Sequence, residues 1–326
     1  MKLDIIDRKL LNLLQAEFPL AAKPYDALGR RLGIGQDEVT SRIARLKVKG
    51  LIRQIGPVFD AASLGYKTTL VAMRVAKTKL DRAAQLITEH PGVSHAYERD
   101  HYFNLWLTLA APATADMEAE LEKLATATAA ETAFSLPALR LFKLRVYFSL
   151  DGDGEPATDA ETPGGITPQQ AQLSTVERQI INELQQDLPL IPQPFAEMAS
   201  RLGMDEETFL ARCQELLSRG VMRRFGAALN HRRAGFAANA MTCWIAPPEK
   251  VASAGRKLAS LREVSHCYER KTNPLWRYNL FAMAHGKTKE ECREAMAKVS
   301  AEMGLDDYVM LFSTRELKKT RLRYLV

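Results

Sequence analysis

The stretch that decides the fold is His95-Ala-Tyr97-Glu-Arg99-Asp-His101, which runs on as Tyr-Phe-Asn104-Leu-Trp106. It returns as His266-Cys-Tyr268-Glu-Arg270 and, after a short insertion, as Tyr278-Asn279-Leu-Phe281. Alternate residues of a strand share a face, so His95, Tyr97, Arg99 and His101 are expected in one row. A half-buried strand normally turns an apolar row inward. Here one row is almost wholly hydrogen-bonding and titratable. Such a row is either a solvated sheet face or a site, and its return in the second half favours a site.

Working outward, the whole chain registers on itself at a displacement of about 170 residues, with Arg31-Leu32-Gly33 falling on Arg201-Leu202-Gly203. Pro19 and Pro24 fall on Pro189 and Pro194, and Arg53, Gly56 and Gly65 on Arg223, Gly226 and Gly235. Between the halves lies DGDGEPATDAETPGGITPQQ (151–170), acidic, rich in Gly and Pro and poor in apolar residues, which reads as a flexible linker. Each half opens with helical periodicity, Leu3, Ile6, Leu10, Leu13 and Leu14 in the first. A detour at Phe18–Pro24 follows, then a helix, a turn at Gly33-Ile34-Gly35, and a second helix to Gly50. That is a helix-turn-helix, and Leu51–Ile55 begins a wing or strand. The rest of each half alternates strand and helix in the order βαββαβ, the ferredoxin-like unit. The expected fold class is therefore α+β, with two tandem repeats of a winged helix-turn-helix followed by a ferredoxin-like module. The expected boundaries are 1–62, 63–150, linker 151–170, 171–232 and 233–326.

The 326 residues are 46% hydrophobic and 26% charged, the balance of a chain that can bury a core. A net charge of +6 suits nucleic acid or a small polyanion held by a few arginines. The four cysteines form no CxxC pair and read as reduced thiols of a cytoplasmic protein. No signal peptide and no membrane span are expected.

The strings LDIIDRKLLNLLQ (3–15) and LGRRLGIGQDEVTSRIARLKVKGLIR (28–53) resemble the Lrp/AsnC regulators. A narrower family is closer. RRFGAALNHRRAGF (223–236), ANAMTCW (238–244), CYERKTNPLWRYNLFAMAHG (267–286) and YERDHYFNLW (97–106) resemble the siroheme decarboxylases. That resemblance implies an enzyme on a regulator-like fold, in the routes to d-type haem or to haem by the siroheme branch. It also implies that two related subunit types are here fused into one chain. It implies loss of carbon dioxide from two acetate side chains of siroheme. No cofactor is implied, since iron enters within the substrate, and no protein-bound metal is expected. Further self-association and contact with other proteins of d-type haem synthesis are compatible with it. The competing reading is a regulator or tetrapyrrole sensor that binds DNA. Against it, the recognition helices open with Gln36-Asp37-Glu38 and Asp205-Glu206-Glu207, acids that suit a helix N-terminus but repel phosphate.

A carboxylate-rimmed macrocycle calls for an apolar slot and arginines, because guanidinium matches carboxylate in two-point geometry. Arg99 and Arg270 are expected as clamps, or else as cross-strand ion pairs. Arg53, Arg223 and Arg224 are expected in a wall where the helical module meets the sheet. Tyr97 and Tyr268 either orient a carboxylate or pack, and Trp106 and Trp276 either stack on the ring or belong to the core. Decarboxylation needs a proton donor. His101 and His231 are the candidates, either also able to face the substrate iron. His231 aligns with Ala61 and His101 lacks a counterpart, which suggests one composite site built by two specialised halves. The matched His95 and His266 read as hydrogen-bonded residues of the sheet, and Met222, Met241 and Met283 as core.

Overall fold

A computed structural model describes residues 3–144, 170–230 and 238–326. The expected linker, apart from Gln170, lies outside the described residues, and so does His231. Helix α1 (Ile5–Ala16) starts where the Asp4 carboxylate accepts the Asp7 N–H at 2.6 Å. Helix α2 (Pro24–Leu32) opens on proline, whose missing N–H costs nothing at a first turn, and ends at Gly33 in the left-handed region (φ 70°). Helix α3 (Gln36–Val48) leads into strand β1 (Ile52–Phe59). The second half repeats this as α6 (Thr175–Leu184), α7 (Pro194–Arg201), α8 (Glu206–Ser218) and β6 (Met222–Leu229).

The expected wings are not closed within their own modules. Each is one strand, and β1 pairs antiparallel with β6, Gly56 opposite Gly226. A lone strand leaves an unsatisfied edge, and the nearest matching edge is its own repeat. The close approach explains a glycine here, since a Cβ at Gly226 would stand 2.5 Å from the Leu14 carbonyl oxygen. The two helical modules consequently share one core, in which Leu10, Leu14 and Tyr25 join Ile180, Phe195 and Phe225. The detours do the docking. Phe18 packs on Phe225 (5.3 Å between centroids), the Tyr25 hydroxyl donates to the Pro189 carbonyl at 2.8 Å, and the Leu188 N–H donates to Ile55 at 3.0 Å.

The ferredoxin-like modules are β2 (Tyr66–Arg74), α4 (Leu80–Glu89), β3 (Val93–Arg99), β4 (Leu105–Pro112), α5 (Met117–Ala127) and β5 (Thr132–Leu144). Their repeats are β7 (Ala238–Trp244), α9 (Pro248–Ser260), β8 (Val264–Arg270), β9 (Leu280–Gly286), α10 (Lys289–Met303) and β10 (Tyr308–Lys319). The eight strands close into one barrel in the order β10-β3-β4-β2-β5-β8-β9-β7. Closure works because β5 and β10 are long, 13 and 12 residues. Each pairs first with its own β2 or β7 and then with β8 or β3 of the other half. Closing the sheet removes its edges.

One end of the interior is filled by Phe103, Trp106, Phe134, Trp276, Phe281 and Leu311. Trp276 comes from the insertion peculiar to the second half, and its ring stands edge-on to Trp106 at 5.0 Å. The other end, towards the β1–β6 sheet, is hollow. The C-terminal residues cross from barrel to helical modules there. Thr320 N–H donates to Ser94, Arg321 to the Gly226 carbonyl at 2.9 Å, and Tyr324 N–H to the Gln185 side chain at 2.6 Å.

Candidate active site

The hollow end is a cavity of about 530 Å³ walled by both halves of the barrel and by residues of the β1–β6 region. Its polar wall is the repeated row. His95, Tyr97 and Arg99 face it from β3, and His266, Tyr268 and Arg270 from β8. A bulge in each strand, between Val93 and His95 and between Val264 and His266, adds the preceding serine to the same wall. Ser94 Oγ then lies 2.9 Å from His95 Nδ1, and Ser265 Oγ 2.7 Å from His266 Nδ1. Each imidazole is held by its Nδ1 edge, and among the described residues Nε2 of both has no partner.

Arg99 and Arg270 are placed alike. Arg99 donates to the Leu311 carbonyl at 2.9 Å and lies over the Tyr97 ring; Arg270 donates to the Leu136 carbonyl at 2.9 Å and lies over Tyr268. Neither is ion-paired to a carboxylate among the described residues, and the Nε of each is buried with no hydrogen bond. The cross-strand ion-pair alternative therefore fails for both. Arg99 is 5% exposed, and burial pulls its guanidinium down to about 10, still charged at neutral pH. Burial likewise lowers Arg270. One buried and one half-buried cation that face a cavity without an anion among the described residues make an anion site, because a charge withdrawn from water is costly until it is paired.

The histidines are driven the other way. Burial holds His95 at about 4 and His285 at about 3, and burial with neighbouring positive charge holds His266 well below the ordinary range. All three are neutral imidazoles at neutral pH, able to accept at one nitrogen and donate at the other.

Of the residues expected from the sequence, Arg99, Arg223, Arg270, Tyr97, Tyr268 and Trp106 line the cavity. Arg223 stands at the helical-module side, paired with Asp60 at 2.5 Å. Trp106 is 1% exposed and forms the floor, its indole N–H donating to Phe103 at 2.7 Å. Three expectations need correction. Arg224 is not among the residues that line the cavity and donates instead to the Gln15 carbonyl at 3.0 Å. Arg53 is tied to Glu316 at 2.5 Å and to the Lys319 carbonyl, bracing β1 against β10 rather than lining the cavity. His101 does not continue the row. Strand β3 stops at Arg99, whose N–H is closed by the Asn104 carbonyl at 2.9 Å. His101 sits in the intervening loop, takes the Phe103 N–H on Nδ1 at 3.1 Å and stands edge-on to Trp276 at 5.4 Å, on the filled side.

Conversely, His95 and His266 are hydrogen-bonded in the sheet as expected but also face the cavity, and Met241, a core residue as expected, and Met283, packed against that core, line it too. His285 was not singled out. Its signal is an unmatched position: six residues beyond Asn279 it holds the place that Ala110 holds beyond Asn104. Asn104 and Asn279 close the same turn, each bonding the backbone of Val75 or Ala246.

A profile of the AsnC-like ligand binding domain matches residues 63–143 and 233–318, and one of the siroheme decarboxylase NirDL-like HTH domain matches 7–53 and 177–223. The chain is 39% identical to the siroheme decarboxylase of Hydrogenobacter thermophilus, across 97% of this chain and 94% of that one. It is 40% identical over 46% of its length to the siroheme decarboxylase alpha subunit of Desulfovibrio desulfuricans, covering 87% of that subunit. Among solved structures, NirDL in co-complex with an iron-uroporphyrin III analogue superposes with a TM-score of 0.72 at 35% identity, covering 98% of this chain and 94% of that one.

Proposed function

The chain belongs to the siroheme decarboxylase family in its fused NirDL form, and on that premise we propose that the barrel cavity is where it decarboxylates siroheme. The enzyme removes carbon dioxide from two acetate side chains, giving didecarboxysiroheme for d-type haem or an alternative haem route. The reaction class is a carbon–carbon lyase. The observation that carries the placement is the pair of guanidiniums, Arg99 buried and Arg270 half-buried, that face one cavity without a carboxylate partner among the described residues.

The chemistry asks little more of the site. In each step the bond between methylene and carboxylate breaks, its electron pair stays on the methylene carbon with the pyrrole as acceptor, and a proton completes a methyl group. No net redox change occurs, so no further cofactor is proposed, and the iron arrives as part of the substrate. The apolar floor around Trp106 and Phe281 takes the macrocycle. Arg99 and Arg270 hold peripheral carboxylates, Arg223 meets a carboxylate nearer the helical modules, and Tyr97 and Tyr268 fix the guanidiniums from beneath. His95 and His266 offer Nε2 into the cavity for proton transfer. His231 keeps its expected role as a second donor. His101, the other expected donor, stands beside Trp276 and outside the cavity lining, so the proposal does not rest on it. The partners proposed are siroheme, its decarboxylated products and other proteins of d-type haem synthesis, with self-association compatible.

The regulator reading is less supported. Arg42 is engaged by Asp4, Asp7 and Glu38, Arg45 by Asp7, and Lys47 by Asp187. The basic residues of α3 are thus neutralised within the chain. No helix among the described residues is long and apolar enough to cross a membrane, and a cytoplasmic location is proposed. The deciding experiment is anaerobic incubation with siroheme followed by mass spectrometry of the tetrapyrrole. Loss of two carbon dioxide units supports the reading. Siroheme that binds and returns unchanged overturns it.

A further inference from the structure

The cavity meets its ligand with fixed cations and with uncharged imidazoles. Its cations are Arg99, Arg223, Arg270, Lys67 and Lys319, and the one acid in its wall among the described residues, Asp60, is paired with Arg223 at 2.5 Å. Siroheme carries an acetate and a propionate on every ring, so its carboxylates outnumber these cations. The titratable groups left in the wall to answer them are His95, His266 and His285. His285 stands where the first half has Ala110: Asn239 pairs with it across β7 and β9 as Thr68 pairs with Ala110 across β2 and β4.

His95 and His266 are half-buried, and each turns its Nδ1 edge to a serine, Ser94 at 2.9 Å and Ser265 at 2.7 Å. The charged groups that act on them are cations: Lys319 of β10 on both, Arg53 of β1 on His95, and Arg270 of β8 on His266. Strand β9 adds His285, while Thr108 of β4 and Leu144 of β5, opposite the two histidines, carry no charge. The acids nearby are committed elsewhere, Glu316 to Arg53 and Asp60 to Arg223. Burial and this positive surround keep both imidazoles neutral until an anion arrives. A serine hydroxyl accepts from Nδ1–H as well as it donates to a bare Nδ1, so it can hold either the neutral ring or the imidazolium. Ser265, accepting from a charged His266, can donate its own proton to Nε2 of a neutral His285, 2.7 Å away.

Building on the cavity as the siroheme site, we infer that the entering carboxylates load His95 and His266 with a solvent proton each, so that the acids of the reaction are charged only when substrate is in place. A carboxylate close to an imidazole favours its charged form, and the route that admits the substrate admits the proton. The step balances. Each ring binds one proton at Nε2, on the cavity side, and holds its other proton, on Nδ1, against serine. A carbon–carbon bond breaks and carbon dioxide leaves; the electron pair left on the methylene carbon takes the Nε2 proton as the methyl C–H. The imidazole returns to its neutral Nδ1–H form, with Nε2 open to the proton taken up at the next binding event. Two loaded rings supply two protons for two acetates. His285 stays neutral and serves through Ser265 as a positioning residue.

The test is calorimetry of iron uroporphyrin III binding in buffers of different ionisation enthalpy. The dependence of the measured heat on the buffer counts the protons taken up. Loading predicts uptake of about one to two protons per complex near neutral pH, and an affinity that falls about tenfold per proton for each pH unit above it. His95→Asn and His266→Asn keep a polar side chain that does not titrate. Each lowers the count, and the double variant brings it below about half the wild-type value, on the same linkage. No uptake by the wild type overturns the inference. So does equal uptake by the double variant, which puts the protons on the ligand's own carboxylates. Where a melting curve shows a variant unfolded, nitrogen NMR of histidine-labelled wild type decides alone, with metal-free uroporphyrin III as a diamagnetic probe. Two rings that pass from imidazole to imidazolium on binding support the loading, and histidine signals that keep their neutral positions overturn it. Carbon dioxide loss from siroheme without proton uptake overturns the loading and leaves the decarboxylase reading intact. Proton uptake without carbon dioxide loss overturns that reading and leaves the loading.

Discussion

Arg99 and Arg270 set stability against function at single side chains. Arg99 is buried and Arg270 half-buried, and both are charged and without an acid among the described residues. Replacing either by methionine removes an uncompensated buried charge and keeps the volume, so the melting temperature is expected to hold or rise. Each hydrogen bond to a charged group contributes about 1.5–3 kcal/mol, so siroheme affinity falls about 10- to 100-fold, read from an absorbance titration. A melting temperature that falls together with affinity would make these residues structural. The histidines make a second prediction. His95 and His285 are held at about 4 and about 3, below the unfolded value of about 6.5. Between these values the unfolded chain binds more protons than the folded one, so stability rises with pH there and is lost as pH falls from about 6.5 towards 4. Melting temperatures across that window should drop by an amount worth a few kcal/mol, on the order set by such shifts, and His95→Asn should flatten the slope. At this scale the sequence was informative wherever alternation held. It pointed to Tyr97 and Arg99 because β3 is regular there. It misplaced His101 because the chain turns at Asn104 through side-chain bonds to Val75 that no periodicity encodes.

Helix α3 has the position of a recognition helix, but its basic side chains are already paired with acids. Arg42 is only 17% exposed and serves three carboxylates, while Lys47 reaches Asp187 in the other half. Charges already paired within a fold release few counterions on binding DNA, and counterion release supplies most of a duplex affinity. Fluorescence anisotropy at low salt should therefore show no specific, steeply salt-dependent binding. Tight binding to one duplex with a strong salt slope would restore the regulator reading. The acids Asp37 and Glu38 carried this expectation in the sequence. The pairing of β1 with β6 was not legible, because a strand's own residues do not say whether its partner is a local hairpin or its distant repeat. Nor were the Phe18–Pro24 detours recognised as docking elements, although proline placed the start of α2 correctly.

Across the whole molecule, neither half makes a closed sheet by itself, since β5 needs β8 and β10 needs β3. Residues 1–150 and 171–326 expressed apart should each self-pair or aggregate and give little turnover. Mixing or co-expressing them should recover loss of two carbon dioxide units by mass spectrometry. Full activity of either half alone would dispose of the composite cavity. The repeat made the tandem architecture readable, but which strands cross between halves follows from closure and not from any one segment. The single covalent chain has a genetic consequence. An assembly of two identical subunits writes each codon change into both walls of its barrel, so a mutation cannot treat the two sides of a ligand differently. Here Ala110 and His285 lie at equivalent places under separate codons. Selection can alter one wall and spare the other, and a directed-evolution library can do the same one residue at a time.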